Sequence, residues 1–297
     1  MRALRSVLFV PGHKADWIQK ALRSEADGII IDLEDSVPEA DKPLARKNAR
    51  EAILEYGGSK AILVRPNGLE TEHFGDDLRE VSVQGLAAYL LPMLNRRDDV
   101  VAFDAVITAG EIRNGVPRGT IEVVPSFETA ASIAGVDDIV SGPRVGGVMA
   151  AAAKDADISR SLGFRWSAEG SETLYLRSRI LTAARAIGLR MILLGLWQDV
   201  RDLDGLRAFA QQNASLGYTG QVLIHPTHAP VANEEYGLSD EAADYYRRLI
   251  AAFEAGQREG HGAVAFDGEH IDLAHANNAR NILQHAGLSD ALTATND

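Results

Sequence analysis

Gly28-Ile-Ile-Ile-Asp-Leu-Glu-Asp-Ser36 is an apolar run of strand length that ends abruptly in three carboxylates. A similar run, Arg5-Ser-Val-Leu-Phe-Val-Pro-Gly12, precedes it, and a helix-like segment lies between the two. Strand, helix and strand in this order predict a βαβ unit with parallel strands. Because ligands bind at the carboxyl ends of such strands, Asp32, Glu34 and Asp35 indicate metal or proton chemistry on an acidic substrate.

Strand-like runs alternate with longer helical stretches along the chain. Most of the runs are apolar on both faces, as expected for parallel strands covered by helices. Eight of them predict closure as a (β/α)8 TIM barrel in the α/β class. A doubly wound open sheet is the alternative, but no Gly-x-Gly-x-x-Gly follows the first strand to favour it. The predicted strands are 6–10, 28–32, 61–65, 88–91, 121–125, 145–151, 190–195 and 221–224.

Composition excludes several classes of protein. The chain has 297 residues, no cysteine and a formal net charge of −12. The absence of cysteine excludes disulfides and thiol catalysis, and the acidic balance argues against nucleic acid as a partner. No apolar run approaches the ~20 residues that a membrane helix needs. We therefore expect a cytoplasmic protein that binds neither nucleic acid nor a membrane.

The pattern changes after the eighth predicted strand. Ser239 is placed to cap a helix that reaches 255, a short strand-like run covers 263–266, and a last helix covers 273–285. We therefore expect a TIM-barrel catalytic domain at 1–229 and a C-terminal helical lid and oligomerisation extension at 230–297.

Polar side chains at the predicted strand ends identify a candidate site. Carboxylates without cysteine or a paired-histidine motif suit a hard cation such as Mg²⁺. Glu128 and Asp157, after neighbouring strands five and six, fit this demand, although Asp155 competes with Asp157. Arg65, at the end of strand three, then faces a substrate carboxylate or a developing oxyanion.

Nine short motifs in a fixed order cover nearly the whole chain. They are Arg5-Ser-Val-Leu-Phe-Val-Pro-Gly12, Ile31-Asp-Leu-Glu-Asp-Ser-Val37, Lys42 with Ala45-Arg46, Val64-Arg-Pro-Asn67, Phe127-Glu-Thr129, Asp157 six residues before Gly163, Ala183-Ala-Arg-Ala-Ile-Gly188, Ile224-His-Pro226 and Asp267-Gly-Glu-His-Ile-Asp272. In this order they resemble the citrate lyase β-subunit-like branch of the HpcH/HpaI aldolase superfamily, which includes relatives acting on malyl-CoA, citramalyl-CoA and citryl-CoA.

The resemblance implies a TIM barrel with a C-terminal helical lid, assembled as a homotrimer or hexamer. It also implies Mg²⁺-dependent cleavage or formation of a β-hydroxyacyl-CoA, with a 2-oxo acid or oxaloacetate and an acyl-CoA as partners. Glu128 and Asp157 match the metal ligands of the family, and Arg65 matches the group that binds substrate oxygen. Asp272 lies where the CoA lyases carry a general base, donated by the lid of a neighbouring subunit.

Further positions take supporting roles in the same resemblance. Glu34 and Asp35 match an acidic pair that orients Arg65 or Lys42 during catalysis. Lys42 is also expected to bind substrate, together with Pro11 and Gly12.

Three departures from the family pattern leave the substrate open. Met93 stands where the family often has lysine, Ala156 replaces a glutamate, and an aspartate that often ends strand seven is absent. The alternatives to the CoA lyase are an aldolase acting on free 2-oxo acids, a malyl-CoA-type thioesterase and a non-catalytic barrel. Asp272 also has a purely structural alternative, since it precedes the last helix as an N-cap.

Overall fold

Eight parallel strands pair in sequence order, and the last of them pairs with the first to close a barrel. The computed structural model describes residues 3–288, except the side chain of His285. The predicted TIM barrel is therefore confirmed, and the open-sheet alternative is wrong. The strands are β1 (Ser6–Pro11), β2 (Gly28–Asp32), β3 (Ala61–Arg65), β4 (Ala88–Leu91), β5 (Glu122–Phe127), β6 (Gly147–Ala150), β7 (Met191–Leu194) and β8 (Gly220–Leu223).

The bounds of β2, β3 and β4 are those predicted, and the other strands differ by one or two residues. The difference at β5 has a physical cause. Proline cannot donate a ladder hydrogen bond, so Pro125 marks a strand end in the sequence. In the barrel, however, Ser126 and Phe127 continue the strand by pairing with Met149 and Ala150 of β6. Glu128 therefore follows the strand directly, at the mouth of the barrel.

Helices connect the strands and surround the barrel. They are α1 (Ala15–Leu22), α2 (Lys42–Tyr56), α3 (Phe74–Val81), α4 (Arg97–Arg113), α5 (Ala130–Ala134), α6 (Val136–Val140), α7 (Asp157–Leu162), α8 (Leu174–Ala186), α9 (Leu203–Leu216) and α10 (Ala229–Glu235). Short 3₁₀ turns cover Glu39–Asp41 and Pro226–His228. Within residues 3–288, no helix is both long and apolar enough to cross a bilayer.

Apolar side chains fill both the barrel interior and the layer beneath the helices. Every residue of β2 is buried, and Ile29, Ile30 and Ile31 have no exposed surface. Side chains alternate across a strand, so both faces of β2 are covered. Burial on both faces is the reason that these strands read as continuous apolar runs in the sequence.

The chain divides into two units after Tyr236, a few residues beyond the boundary expected from the sequence. Helix α10 belongs to the first unit because it packs against β1, β8 and α9. The second unit contains α11 (Asp240–Arg258), β9 (Ala263–Phe266), β10 (Glu269–Asp272) and α12 (Leu273–His285). Of the predicted extension, residues 289–297 lie outside the described part of the chain.

The second unit has a small apolar core of its own, formed from α11, β10 and α12 around Phe253 and Ile271. The Ser239 side chain accepts a hydrogen bond from the Ala242 amide, so the predicted cap is confirmed. Strand β9 was predicted, but its partner β10 was not, because Glu269 and His270 are polar. The two strands form a hairpin whose turn residues, Asp267 and Gly268, both have positive φ.

Barrel closure gives a testable requirement for glycine at residue 220. A Cβ there would lie 1.9 Å from the carbonyl oxygen of Leu4. Gly220→Ala is therefore expected to push β8 away from the start of β1 and lower the free energy of unfolding by about 1–3 kcal/mol. Gly58→Ala is the matched control, since a Cβ at Gly58 has no neighbour within 4 Å. Equal denaturation midpoints for the two variants would contradict this packing constraint.

Candidate active site at the barrel mouth

A buried ion pair joins the ends of β2 and β3. Asp32 and Arg65 are register partners in neighbouring strands. The Arg65 Nε and Nη2 donate to the two Asp32 carboxylate oxygens at 2.7 and 2.9 Å, which is bidentate geometry. Burial acts to raise the pKa of Asp32, but hydrogen bonds and charge from Arg65 outweigh it and lower that pKa. Asp32 is therefore ionised and holds the guanidinium in a fixed position.

Glu34 and Asp35 lie beside the same guanidinium. Their carboxylate oxygens are 3.3 and 3.5 Å from Arg65 Nη1. The ring of Phe9 packs on the guanidinium with its centroid 5.0 Å from Cζ. The structure therefore brings Arg65, Glu34 and Asp35 together. The sequence grouped Asp32 with Glu34 and Asp35 and did not single it out as the main partner of Arg65, although the shared end position of two adjacent strands was an available signal.

Lys42 lies behind the loop that follows β2. Its ammonium donates to the backbone carbonyls of Leu33 and Glu34 and to Asn67 Oδ1, at 3.0, 3.1 and 2.7 Å. All three hydrogens of the ammonium are thus used within the protein. Here Lys42 holds the loops after β2 and β3 together, and direct contact with substrate stays a prediction.

Pro11 and Gly12 place the end of β1 against the end of β2. The Gly12 amide donates to the Asp32 carbonyl at 2.8 Å. A Cβ on Gly12 would lie 2.8 Å from that same carbonyl oxygen, so the approach requires glycine. Pro11 lines the cavity described below. Substrate contact by either residue stays a prediction.

Glu128 is a buried carboxylate at the end of β5, and both of its oxygens accept hydrogen bonds. Ser126 Oγ donates to Oε1 at 2.7 Å, and the Met93 amide donates to Oε2 at 3.1 Å. Burial raises the pKa of Glu128, opposed by these two donors and by the charge of Arg65. The negative charge of Asp157 acts in the same direction as burial.

Asp157 is the first residue of α7, and its half-buried carboxylate forms an ion pair with Arg160 one turn later. Asp155, the competing ligand, is exposed and has a left-handed backbone with φ of 53°. The donor set of Glu128 and Asp157 fits a hard divalent cation, because two carboxylates within electrostatic range of each other gain from positive charge between them. Glu128 and Asp157 therefore stay the predicted ligands of Mg²⁺.

Glu34 has an unusual titration behaviour. Burial raises its pKa to about 8, and the negative charges of Asp35, Glu128 and Asp32 act in the same direction, opposed by Arg65. At neutral pH Glu34 is therefore largely protonated, and it competes only weakly for the charge of Arg65.

A cavity of about 650 Å³ opens at the mouth next to Arg65 and Asp32. Its walls are mainly apolar and include Trp17 and Leu196, and Lys20, whose ammonium lies 3.5 Å from the Asp16 carboxylate, also lines it. His225 also lines it and accepts a hydrogen bond from the Thr227 amide as the cap of a 3₁₀ turn.

Asp272, in the second unit, caps α12. Its carboxylate accepts hydrogen bonds from the amides of Ala274 and His275, at 2.9 and 3.3 Å. The hydrogen bond with the His275 ring, together with these amides, lowers the pKa of Asp272. The N-cap role is confirmed, and the carboxylate is half-exposed and ionised, while its role as a base stays a prediction.

Comparison with known proteins identifies the family. The sequence model of the HpcH/HpaI aldolase/citrate lyase family matches residues 5–226. The chain belongs to this family. The resemblance noted from the motifs is therefore confirmed, and with it the class of enzyme, a carbon–carbon lyase of the citrate lyase type.

Individual members of the family are similar over almost their whole length. L-malyl-CoA/beta-methylmalyl-CoA lyase of Rhodobacter capsulatus is 33% identical, with 97% of this chain and 96% of the relative covered. A protein of Cereibacter sphaeroides named (3S)-malyl-CoA thioesterase is 31% identical, with 98% and 97% covered. The crystal structure of protein CitE from Mycobacterium tuberculosis in complex with magnesium, acetoacetate and coenzyme A has a TM-score of 0.73 and 29% identity, with 95% and 97% covered.

The titration of Glu34 predicts a pH dependence of stability for this family member. Its pKa is about 8 in the folded protein against an ordinary value of 4.5, so the folded state holds a proton that the unfolded state releases. The free energy of unfolding should therefore fall as pH rises from about 4.5 to 8, by a few kcal/mol at about 1.4 kcal/mol per pKa unit. Glu34→Gln should remove the part of this fall that Glu34 contributes, measured by urea denaturation in EDTA.

Asp35→Asn is the matched control for Glu34→Gln. It removes a neighbouring carboxylate that also faces Arg65 but is 74% exposed. If the free energy of unfolding of Glu34→Gln changes with pH by as much as that of the wild type, the assignment of a proton to Glu34 is wrong.

Proposed function

We propose that this protein is a Mg²⁺-dependent carbon–carbon lyase acting on a β-hydroxyacyl-CoA of the citramalyl-CoA, malyl-CoA or citryl-CoA type. It releases a 2-oxo acid or oxaloacetate and an acyl-CoA. The observation that carries the proposal is the cavity of about 650 Å³ beside Arg65, at the mouth that also holds Glu128. The CoA-ester names of the relatives support the same substrate class.

Glu128 and Asp157 would hold the metal ion in this proposal. When bound, Mg²⁺ supplies Lewis acidity toward the oxygen atoms of the 2-oxo acid part of the substrate. Glu128 is 8% exposed and the Asp157 side chain is 38% exposed, so one ligand is shielded from water while the other is partly accessible to it. This arrangement suits Mg²⁺, which keeps several waters and takes its remaining ligands from substrate.

Arg65 is the group that would bind substrate oxygen. Asp32 fixes the guanidinium through Nε and one Nη2 hydrogen, so its orientation is set before substrate arrives. Because Glu34 is largely protonated near neutral pH, the ionisable neighbour left beside Nη1 is Asp35, which is 74% exposed. A substrate anion would therefore compete at Nη1 mainly with a carboxylate that water screens. When the C–C bond of the substrate breaks, the electron pair forms a thioester enolate, and Arg65 stabilises its oxygen.

The cavity favours a CoA thioester over a free 2-oxo acid. A free 2-oxo acid is small and polar, whereas a pantetheine chain is long and has apolar stretches that suit walls such as Trp17 and Leu196. Lys20 adds a cation that could meet a phosphate of CoA.

Asp272, supplied by a neighbouring copy of the chain in a homotrimer or hexamer, is the proposed base. In the condensing direction it removes a proton from the methyl group of acyl-CoA, and the resulting enolate carbon attacks the carbonyl carbon of the 2-oxo acid. In cleavage, ionised Asp272 takes the hydroxyl proton, the C–C bond breaks, and Asp272 passes that proton to the enolate carbon.

A product assay separates the lyase from its alternatives. Citramalyl-CoA, malyl-CoA and citryl-CoA would be supplied with Mg²⁺ or with EDTA, and pyruvate, glyoxylate, oxaloacetate and free thiol would be measured. A lyase forms the oxo acid without thiol and only with Mg²⁺. Since the chain has no cysteine, any thiol comes from CoA. Thiol release without oxo acid would instead favour the thioesterase named among the relatives.

Replacing either proposed metal ligand should abolish the Mg²⁺-dependent reaction. Glu128→Ala and Asp157→Ala are expected to lower kcat/KM at least about 100-fold, because the Lewis acidity of the metal ion toward the 2-oxo acid oxygen atoms is lost. Asp155→Ala is the matched control, and its activity should be unchanged. Full activity in Glu128→Ala or Asp157→Ala would disprove the metal assignment.

Asp272 allows its two roles to be separated. Asp272→Asn keeps an N-cap side chain but removes the carboxylate, whereas Asp272→Ala removes both. We expect the asparagine variant to keep the stability of the protein and lose activity at least about 100-fold. Asp202→Asn, at the N-cap of α9, is the control and should be fully active. An active Asp272→Asn would leave only the capping role.

A further inference from the structure

We infer that Ser126 is a positioning residue for the metal ion, acting through the Glu128 carboxylate. The inference rests on the proposed role of Glu128 as a metal ligand. Ser126 has no exposed surface, and its hydroxyl donates to Glu128 Oε1 at 2.7 Å. A buried hydroxyl is costly unless it is hydrogen-bonded, so this donor is committed to the carboxylate.

The strand geometry makes the contact between Ser126 and Glu128 inevitable. The two residues are two positions apart at the end of β5, and side chains at i and i+2 lie on the same face of an extended chain. Ser126 is also paired with Met149 in β6, so its backbone is fixed by the barrel ladder. The donor therefore stands on a rigid element directly below the carboxylate that it holds.

The second fixed donor is Met93, which lies two residues after the end of β4. Its backbone amide donates to Glu128 Oε2 at 3.1 Å. Met93 has φ of 51°, a left-handed conformation that costs a non-glycine residue of order 1 kcal/mol or more. This conformation directs the amide toward the carboxylate, so backbone strain coincides with the contact that orients Glu128.

Together the two donors fix the plane of the carboxylate. Rotation about the last side-chain bond of Glu128 would break both hydrogen bonds, one on each oxygen. Each oxygen has two lone pairs, so one remains free on each for a cation or its waters. Loss of a group that orients a metal ligand typically lowers metal affinity about 10- to 100-fold.

The test measures binding of Mn²⁺ alone, as a probe for Mg²⁺, to EDTA-treated full-length protein without substrate. Isothermal titration calorimetry or the electron paramagnetic resonance signal of free Mn²⁺ gives Kd. Ser126→Ala should raise Kd about 10-fold or more. Ser126→Cys, of similar size but with a weaker donor, should lie between alanine and wild type. Met93→Gly keeps the amide and removes the strain, so its Kd should match wild type.

Ser82→Ala is the matched control for loss of a buried hydroxyl. Ser82 has no exposed surface and hydrogen-bonds Tyr89 at 3.0 Å, away from the proposed ligands. Its Kd for Mn²⁺ should equal that of wild type even if its melting temperature falls. If Ser126→Ala fails to fold, Ser126→Cys carries the same comparison.

The outcomes distinguish this inference from the function on which it rests. If Glu128→Ala loses Mn²⁺ binding while Ser126→Ala and Ser126→Cys both keep the wild-type Kd, the positioning role is wrong and the metal ligand stands. If Glu128→Ala binds Mn²⁺ as tightly as wild type, both the ligand assignment and the positioning role are wrong.

Discussion

The bidentate pair between Asp32 and Arg65 determines the form of the barrel mouth. Asp32 accepts not only the guanidinium but also the amides of Glu34 and Ser36, both at 3.1 Å, and the Ser36 hydroxyl. The loop after β2 is therefore folded around one carboxylate. A buried charge is stable only when it is paired and hydrogen-bonded, and Asp32 meets both conditions. The location of Glu34 and Asp35 beside Arg65 follows from this loop.

The mouth also concentrates more carboxylates than its arginine can neutralise. Arg65 faces Asp32, Glu34 and Asp35, and its charge reaches Glu128 as well. Burial raises the pKa values of Glu34 and Glu128, and the charge of Arg65, which is paired with Asp32, does not offset that rise. Protonation of Glu34 relieves part of the excess. A divalent cation between Glu128 and Asp157 would relieve the rest, which connects the electrostatics of the site to its proposed cofactor.

Sequence patterns predicted the barrel because two-sided burial leaves a direct trace, a run of apolar residues. They also placed Arg65, Glu34 and Asp35 at one edge, since strand ends converge. They did not single out Asp32 as the partner of Arg65. Three carboxylates lie close together in the sequence, and only the loop geometry shows which of them pairs with the arginine. The hydrogen bonds of Lys42 could not be predicted from the sequence either. Two of them are made to backbone carbonyls, which are present in every residue type.

The replacement of a frequent family lysine by Met93 has a limited consequence for the metal site. What Met93 contributes to Glu128 is its backbone amide, and a backbone contact survives a change of side chain. The substitution instead removes a side-chain cation from a position that is 43% exposed at the mouth. The Met93 side chain can therefore change without loss of the backbone amide that orients the Glu128 carboxylate.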